Sequence, residues 1–161
     1  TVLDLMPQHL RRRGLFPVGR LDKDTTGLLL LTDDGPLGHE LLSPKKHVDK
    51  VYLAQVEGKV DRSDVAALAE GMVLGDGLHC LPAGLKPLGD GSTCLVTLRE
   101  GKYHQVKRML AARGKPVTAL HRLSMGPLTW PVADAHRERN RSIARRMRIP
   151  LGVFHKKIVA I

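Results

Sequence analysis

Side chains able to do polar chemistry crowd Gly19-Arg20-Leu21-Asp22-Lys23-Asp24-Thr25-Thr26-Gly27, two carboxylates, an arginine and two hydroxyls among them. They stand directly before Leu28-Leu29-Leu30-Leu31, a continuous apolar run that predicts a strand buried on both faces, closed by Thr32-Asp33-Asp34-Gly35. Loops entering a rigid core are where catalytic groups are commonly mounted. The plainer reading is a polar turn whose Asp and Thr side chains cap backbone groups. A second group of reactive side chains lies at Glu100-Gly101-Lys102-Tyr103-His104-Gln105-Val106-Lys107-Arg108-Met109. Helical spacing predicts one basic stripe of His104, Lys107 and Arg108 opposite an apolar face of Val106, Met109 and Leu110. Such a stripe can meet phosphates or set a cation against a buried carboxylate. It can equally be a solvated helix face.

Other sites are weaker. None of the eight histidines falls in H-E-x-x-H or a Cys/His zinc spacing, and no phosphate loop of the G-x-x-x-x-G-K-[ST] type is present. No metal is therefore expected, and a nucleotide-driven motor is disfavoured. Asp33, Asp34 and Asp76 sit beside glycines and read as turn caps. Cys80 and Cys94 read as small apolar fillers in a reduced, cytoplasmic protein. Trp130 reads as a hydrophobic contact.

The elements that must position these groups follow from periodicity and punctuation. Thr1 to about Pro7 predicts a short capped helix, and Pro36 opens another with Leu37 and Leu41 inside. Lys50 to Glu57 alternates as a strand with Tyr52, Ala54 and Val56 on one face. Ser63 caps a helix to Glu70, stopped by Gly71. Residues 75–91 are loops with short strands; Thr93 to Arg99 and Val117 to Leu120 are strands; a helix runs from about Tyr103 to Arg113. Strands outnumber helices without regular alternation, which predicts an α+β fold with a mixed, mostly antiparallel central sheet and flanking helices.

Composition narrows the partner. A net charge of +10 with a pI near 10.1 favours nucleic acid first and an anionic membrane second. Aromatics make up only 3% of the chain, too few for a platform that binds single strands by stacking. No run approaches the roughly 18 apolar residues of a membrane span, so no membrane association is expected. Residues 131–161 carry eight basic and two acidic residues and lose strand character. A boundary near 130 is expected, separating a domain at 1–130 from a basic C-terminal segment.

Taken together and in order, these segments resemble the pseudouridine synthases. Arg20-Leu21-Asp22 with Thr26-Gly27 and the leucine run is similar to that family's catalytic-aspartate motif. The wider Gly-Arg-Leu-Asp-x-Asp-Thr-Thr-Gly-Leu form resembles the branch acting on ribosomal RNA, the small-subunit (RsuA-like) enzymes. The likeness continues through Ser43-Pro44, Lys50-x-Tyr52, the segment from Glu100 to Met109, and Leu120-His121-Arg122 with Gly126.

The resemblance implies the family's α+β fold, no cofactor, and a monomer acting on ribosomal RNA or a pre-ribosomal particle. It implies Asp22 as nucleophile or electrostatic partner in glycosidic cleavage, Tyr52 against the uracil ring, and Lys107 as the basic partner of Asp22. Leu120 would pack beneath the base and Arg20 would hold the nucleotide out of its helix, with His104, Gln105, Arg108 and Arg122 also on the substrate.

The sequence departs from the family in three places. The N-terminal RNA-binding domain and Lys-Pro-x-Gly strand usual in this branch have no counterpart in these 161 residues, and the chain opens on Thr1, as a fragment would. Residues 131–161 do not match the usual closing segment, and Lys107 stands where many relatives carry Arg. The competing expectations are a catalytically silent RNA-binding module of the same fold, and a metal-dependent nuclease using Asp22, Asp24, Asp33 and Asp34.

Overall fold

A computed structural model describes residues 2–5, 8, 11, 13–46 and 48–129. Trp130 and the basic segment 131–161 lie outside the described residues, as does the predicted capping role of Thr1.

A 3-10 turn at Val2–Leu5 leads to β1 (Phe16–Val18), β2 (Thr25–Gly27), β3 (Leu30–Thr32) and α1 (Gly35–Leu42). Then follow β4 (Lys50–Val56), α2 (Arg62–Glu70), β5 (Met72–Val73), β6 (His79–Cys80), β7 (Gly84–Leu88) and β8 (Thr93–Leu98). The described chain closes with α3 (Gln105–Ala112), β9 (Val117–Met125) and β10 (Leu128–Thr129). The main sheet runs β10-β9-β4-β8-β7, all antiparallel, and β2 adds to β9 in parallel, so the sheet is mixed and mostly antiparallel as predicted.

Alternation decides which side of β4 and β8 is core. Tyr52, Ala54 and Val56 on β4 and Cys94, Val96 and Leu98 on β8 are buried and pack with Val106, Met109 and Leu110 of α3. Both cysteines are fillers there, and burial pushes the Cys94 thiol up to about 11. A second cluster, with Val18, Leu28, Leu30, Leu41 and Met125, holds the β1–β3 hairpin and α1 against the sheet.

Four boundaries differ from the sequence reading. The leucine run is two pieces. β2 ends at Gly27, whose φ of 111° breaks the extension, the Leu28 N–H donates to the Arg122 carbonyl at 2.8 Å, and β3 begins only at Leu30. All four leucines are buried, which is why one apolar run concealed two pairings. The cap of α2 is Asp61 rather than Ser63, in a capping box with Asp64. α3 starts at Gln105 rather than Tyr103, because His104 adopts a left-handed conformation with φ 50°. β9 runs on to Met125, its polar residues Arg122 and Ser124 sustained by partners on both sides.

Candidate active site

The Asp22 turn is fixed to the sheet at both ends. The Thr25 N–H donates to the Asp22 carbonyl at 2.9 Å, and β2 then registers Thr25 against Leu120 and Gly27 against Arg122. Gly27 is required there: a Cβ would stand 2.2 Å from the Arg122 carbonyl oxygen. The carboxylate of Asp22 is thereby held beside α3. Its Oδ2 lies 3.4 Å from Lys107 Nζ and its Oδ1 lies 3.4 Å from His104 Nε2.

Lys107 also hydrogen-bonds the exposed carboxylate of Asp24, so a single ammonium serves two carboxylates. Burial alone would lower that ammonium's pKa, but Asp24 and Asp22 outweigh it and hold it above the ordinary lysine range. The hydrogen bond from Lys107 in turn pulls Asp24 below the ordinary carboxylate range. At 3.4 Å and an effective dielectric of about 20, the Asp22–Lys107 attraction is roughly 5 kcal/mol before desolvation is subtracted.

The loop before α3 is tied down by a buried carboxylate. Glu100 accepts from the Leu81 N–H at 2.8 Å and from Gln105 Nε2 at 2.6 Å, and pairs with Lys102. Gln105 returns through its Oε1 to the Lys102 N–H at 3.0 Å. The loop thus closed leaves Tyr103 70% exposed and stacked on His104, ring centroids 3.9 Å apart.

These groups border a cavity of about 580 Å³, within the range that encloses small ligands. Tyr52, Leu120 and Arg122 form its sheet wall, Asp22 and Arg20 its loop wall, and His104 and Gln105 its helix wall. Tyr52 and Leu120 are buried on neighbouring strands; Arg20 is exposed.

Of the nine residues singled out from sequence, seven line the cavity and Lys107 touches it through Asp22. Arg108 does not line it. Its guanidinium turns to Asp76 and pairs there, because one helical step carries it past the cavity. Gln105 and Arg122 line the cavity while also holding the frame: Gln105 through Glu100, and Arg122 through a 2.6 Å hydrogen bond from Nε to the Leu28 carbonyl.

Sequence reading missed Tyr103, Asp24 and Lys50 as wall or pair members. The Lys50-x-Tyr52 alternation could have found Lys50, since it must share the buried face of Tyr52. Nothing local announces Tyr103, whose exposure depends on the left-handed His104. Asp34 caps α1 through a 2.9 Å bond from the Leu37 N–H, and Asp76 accepts from the Leu78 N–H, as turn-capping predicted. Among the described residues no three of His, Cys, Asp and Glu converge as a metal-ligand set, and Asp33 and Asp34 lie apart from the cavity lining.

The mixed sheet of this α+β domain thus carries an ion-paired carboxylate at the edge of a cavity lined by charged, polar and apolar side chains. Comparison with known proteins gives the family. The model of the RNA pseudouridylate synthase family matches residues 2–112. An uncharacterized RNA pseudouridine synthase of Bacillus subtilis is 48% identical over 138 residues, 84% of this chain and 58% of the relative. Ribosomal small subunit pseudouridine synthase A of Haemophilus influenzae is 50% identical over 113 residues, 70% of this chain and 48% of the relative. A crystal structure of a pseudouridylate synthase superposes with a TM-score of 0.75 at 43% identity, covering 81% of this chain and 56% of that one. The chain belongs to the RNA pseudouridylate synthase family and has its α+β fold. It spans about half the length of the curated relatives it matches.

Proposed function

We propose that this chain is the catalytic part of an enzyme that isomerises one uridine of ribosomal RNA to pseudouridine, with Asp22 as the central catalyst. The observation that carries the reading is the Asp22 carboxylate paired with Lys107 at the edge of a cavity walled by Tyr52 and Leu120. Small-subunit ribosomal RNA is the favoured substrate, in line with relatives named as small-subunit synthases.

The reaction breaks the C1′–N1 bond, turns the base, and forms C1′–C5. The C5 proton is lost and N1 gains one, so no atom is added or removed overall. An ionised carboxylate can attack covalently or stabilise positive charge on the sugar. Lys107, 3.4 Å away, faces that carboxylate with a positive charge. Tyr52 offers a flat face for the base and a hydroxyl for moving the proton, Leu120 supports the other face, and Arg20 holds the extruded nucleotide. His104 and Gln105 close the helix side, and Arg122 the sheet side. We assign residues 1–130 to the catalytic domain and 131–161 to a separate basic segment, in a monomeric, cytoplasmic enzyme needing no cofactor.

Carbodiimide treatment and primer extension on ribosomal RNA, from cells with and without the gene, tests this reading. Loss of a single stop in the deletion is expected. An unchanged pattern with RNA binding retained would favour a catalytically silent RNA-binding module instead.

A further inference from the structure

Two cations share the sheet wall of the cavity, and among the described residues neither is in an ion pair with a carboxylate. Lys50 is 4% exposed and Arg122 is 2% exposed, and both line the cavity. Arg122 sits directly across from Tyr52 in the β4–β9 register, and Lys50 precedes Tyr52 by two positions on the same buried face. What each touches is meagre for a buried charge. Lys50 donates one long bond, 3.3 Å, to the Val48 carbonyl. Arg122 donates through Nε to the Leu28 carbonyl, and its Nη2, fully buried, has no hydrogen-bond partner among the described residues. The hydroxyl of Thr25, 1% exposed and on the same wall, is also without one. Asp49, the acidic residue nearest in sequence to Lys50, is bonded to Arg99. Burial first and the charge of Arg122 second push the Lys50 ammonium below the ordinary lysine range, outweighing a smaller opposing pull from Asp49.

A pair of buried cations with no ion-pair partner is costly, and a donor left unbonded adds to the cost. A standing positive charge of this kind is complementary to a standing negative one. Uracil and ribose are neutral in the ground state; the only permanent anion that a nucleotide carries is its phosphate. A guanidinium with a free Nη, an ammonium with two unused protons and a hydroxyl are the donors a phosphate oxygen cluster needs. The cavity at about 580 Å³ has room for more than a base.

We propose that Lys50 and Arg122, with Thr25, form a phosphate subsite that grips the phosphodiester of the nucleotide being isomerised. This rests on the proposed function only for the identity of the nucleotide; the anion site itself stands on the two cations. It gives the cavity two electrostatic poles: the Asp22 cluster for the sugar, and the Lys50–Arg122 wall for the adjoining phosphate. Lys50 is a binding residue in this account and Arg122 both binds and braces β2.

The test separates the site from the reaction. Calorimetric titration of the protein with uridine, uridine 3′-monophosphate and uridine 5′-monophosphate should show at least one monophosphate bound about tenfold or more tightly than uridine. Lys50→Met should erase that preference while leaving uridine binding unchanged, and Lys50→Arg should restore most of it. The Met variant keeps the stem and removes a destabilised charge, so it should fold; its melting temperature, expected to be at or above wild type, checks this. On the ribosomal RNA substrate Lys50→Met should raise KM with kcat nearly unchanged.

Uridine and both monophosphates binding alike to the wild type would overturn the proposal. So would a fall in kcat at constant KM, which would assign Lys50 to charge developing on the base. A monophosphate preference in a protein that forms no pseudouridine would keep the subsite and sink the proposed reaction.

Discussion

The Asp22 carboxylate and the Lys107 ammonium, delivered by the turn before β2 and by α3, meet at 3.4 Å while Lys107 also binds Asp24. One cation therefore holds the proposed catalyst and a competing, exposed carboxylate at the same time. Release of Asp24 would free Lys107 for Asp22 alone, and that division can be measured.

Removing Lys107 should disable chemistry more than binding. Lys107→Met is expected to lower kcat by about a hundredfold or more, since the carboxylate loses the cation that pairs with it and places it. Lys107→Arg keeps the charge in a different geometry and should recover a substantial part. Single-turnover rates on ribosomal RNA distinguish the two.

Asp24→Asn should leave Asp22 as the one remaining carboxylate partner of Lys107. Because the partner it removes is exposed, the effect on stability by denaturant titration should be small. Activity should stay within about threefold of wild type.

The Asp24–Lys107 pair also sets a pH window. Asp24 is depressed by its bond to Lys107, so its contribution is complete above the ordinary carboxylate value of 3.8 and is lost as pH falls through the lower folded value. Lys107 is raised, so its contribution is complete below 10.5 and lost as pH climbs through the higher folded value. Thermal melts of wild type minus Asp24→Asn should therefore be flat between these limits and converge as pH falls further below 3.8.

Gly27→Ala should be the most damaging small substitution at the site. The added methyl meets the Arg122 backbone at 2.2 Å, and φ is 111°. We expect a loss of about 3 kcal/mol or more, or failure to fold, by urea denaturation.

Tyr103 offers its free face beside the cavity. Tyr103→Ala should raise KM about fivefold to tenfold with little change in kcat, the loss expected for one stacked base.

Legibility in the sequence followed the range of the interaction. Alternation over Lys50 to Glu57 and Thr93 to Arg99 revealed two sheet strands, because one face of each is core and local pattern reports burial. The leucine run misled for the same reason: with both faces buried, pattern carries no register, and the break at Gly27 is made by β9. Helical spacing put Lys107 and Arg108 on one stripe, but only the fold sends one to Asp22 and the other to Asp76. The left-handed His104, which sets the start of α3 and exposes Tyr103, has no local signature.

The central claim is that the Asp22 carboxylate performs the chemistry and contributes little to holding RNA. The most direct measurement is pseudouridine formation by Asp22→Asn on ribosomal RNA, read beside its affinity for the same RNA. The account predicts turnover reduced by about a thousandfold or more with affinity within about threefold of wild type. An Asn variant that still converts the target uridine at a wild-type rate would contradict it.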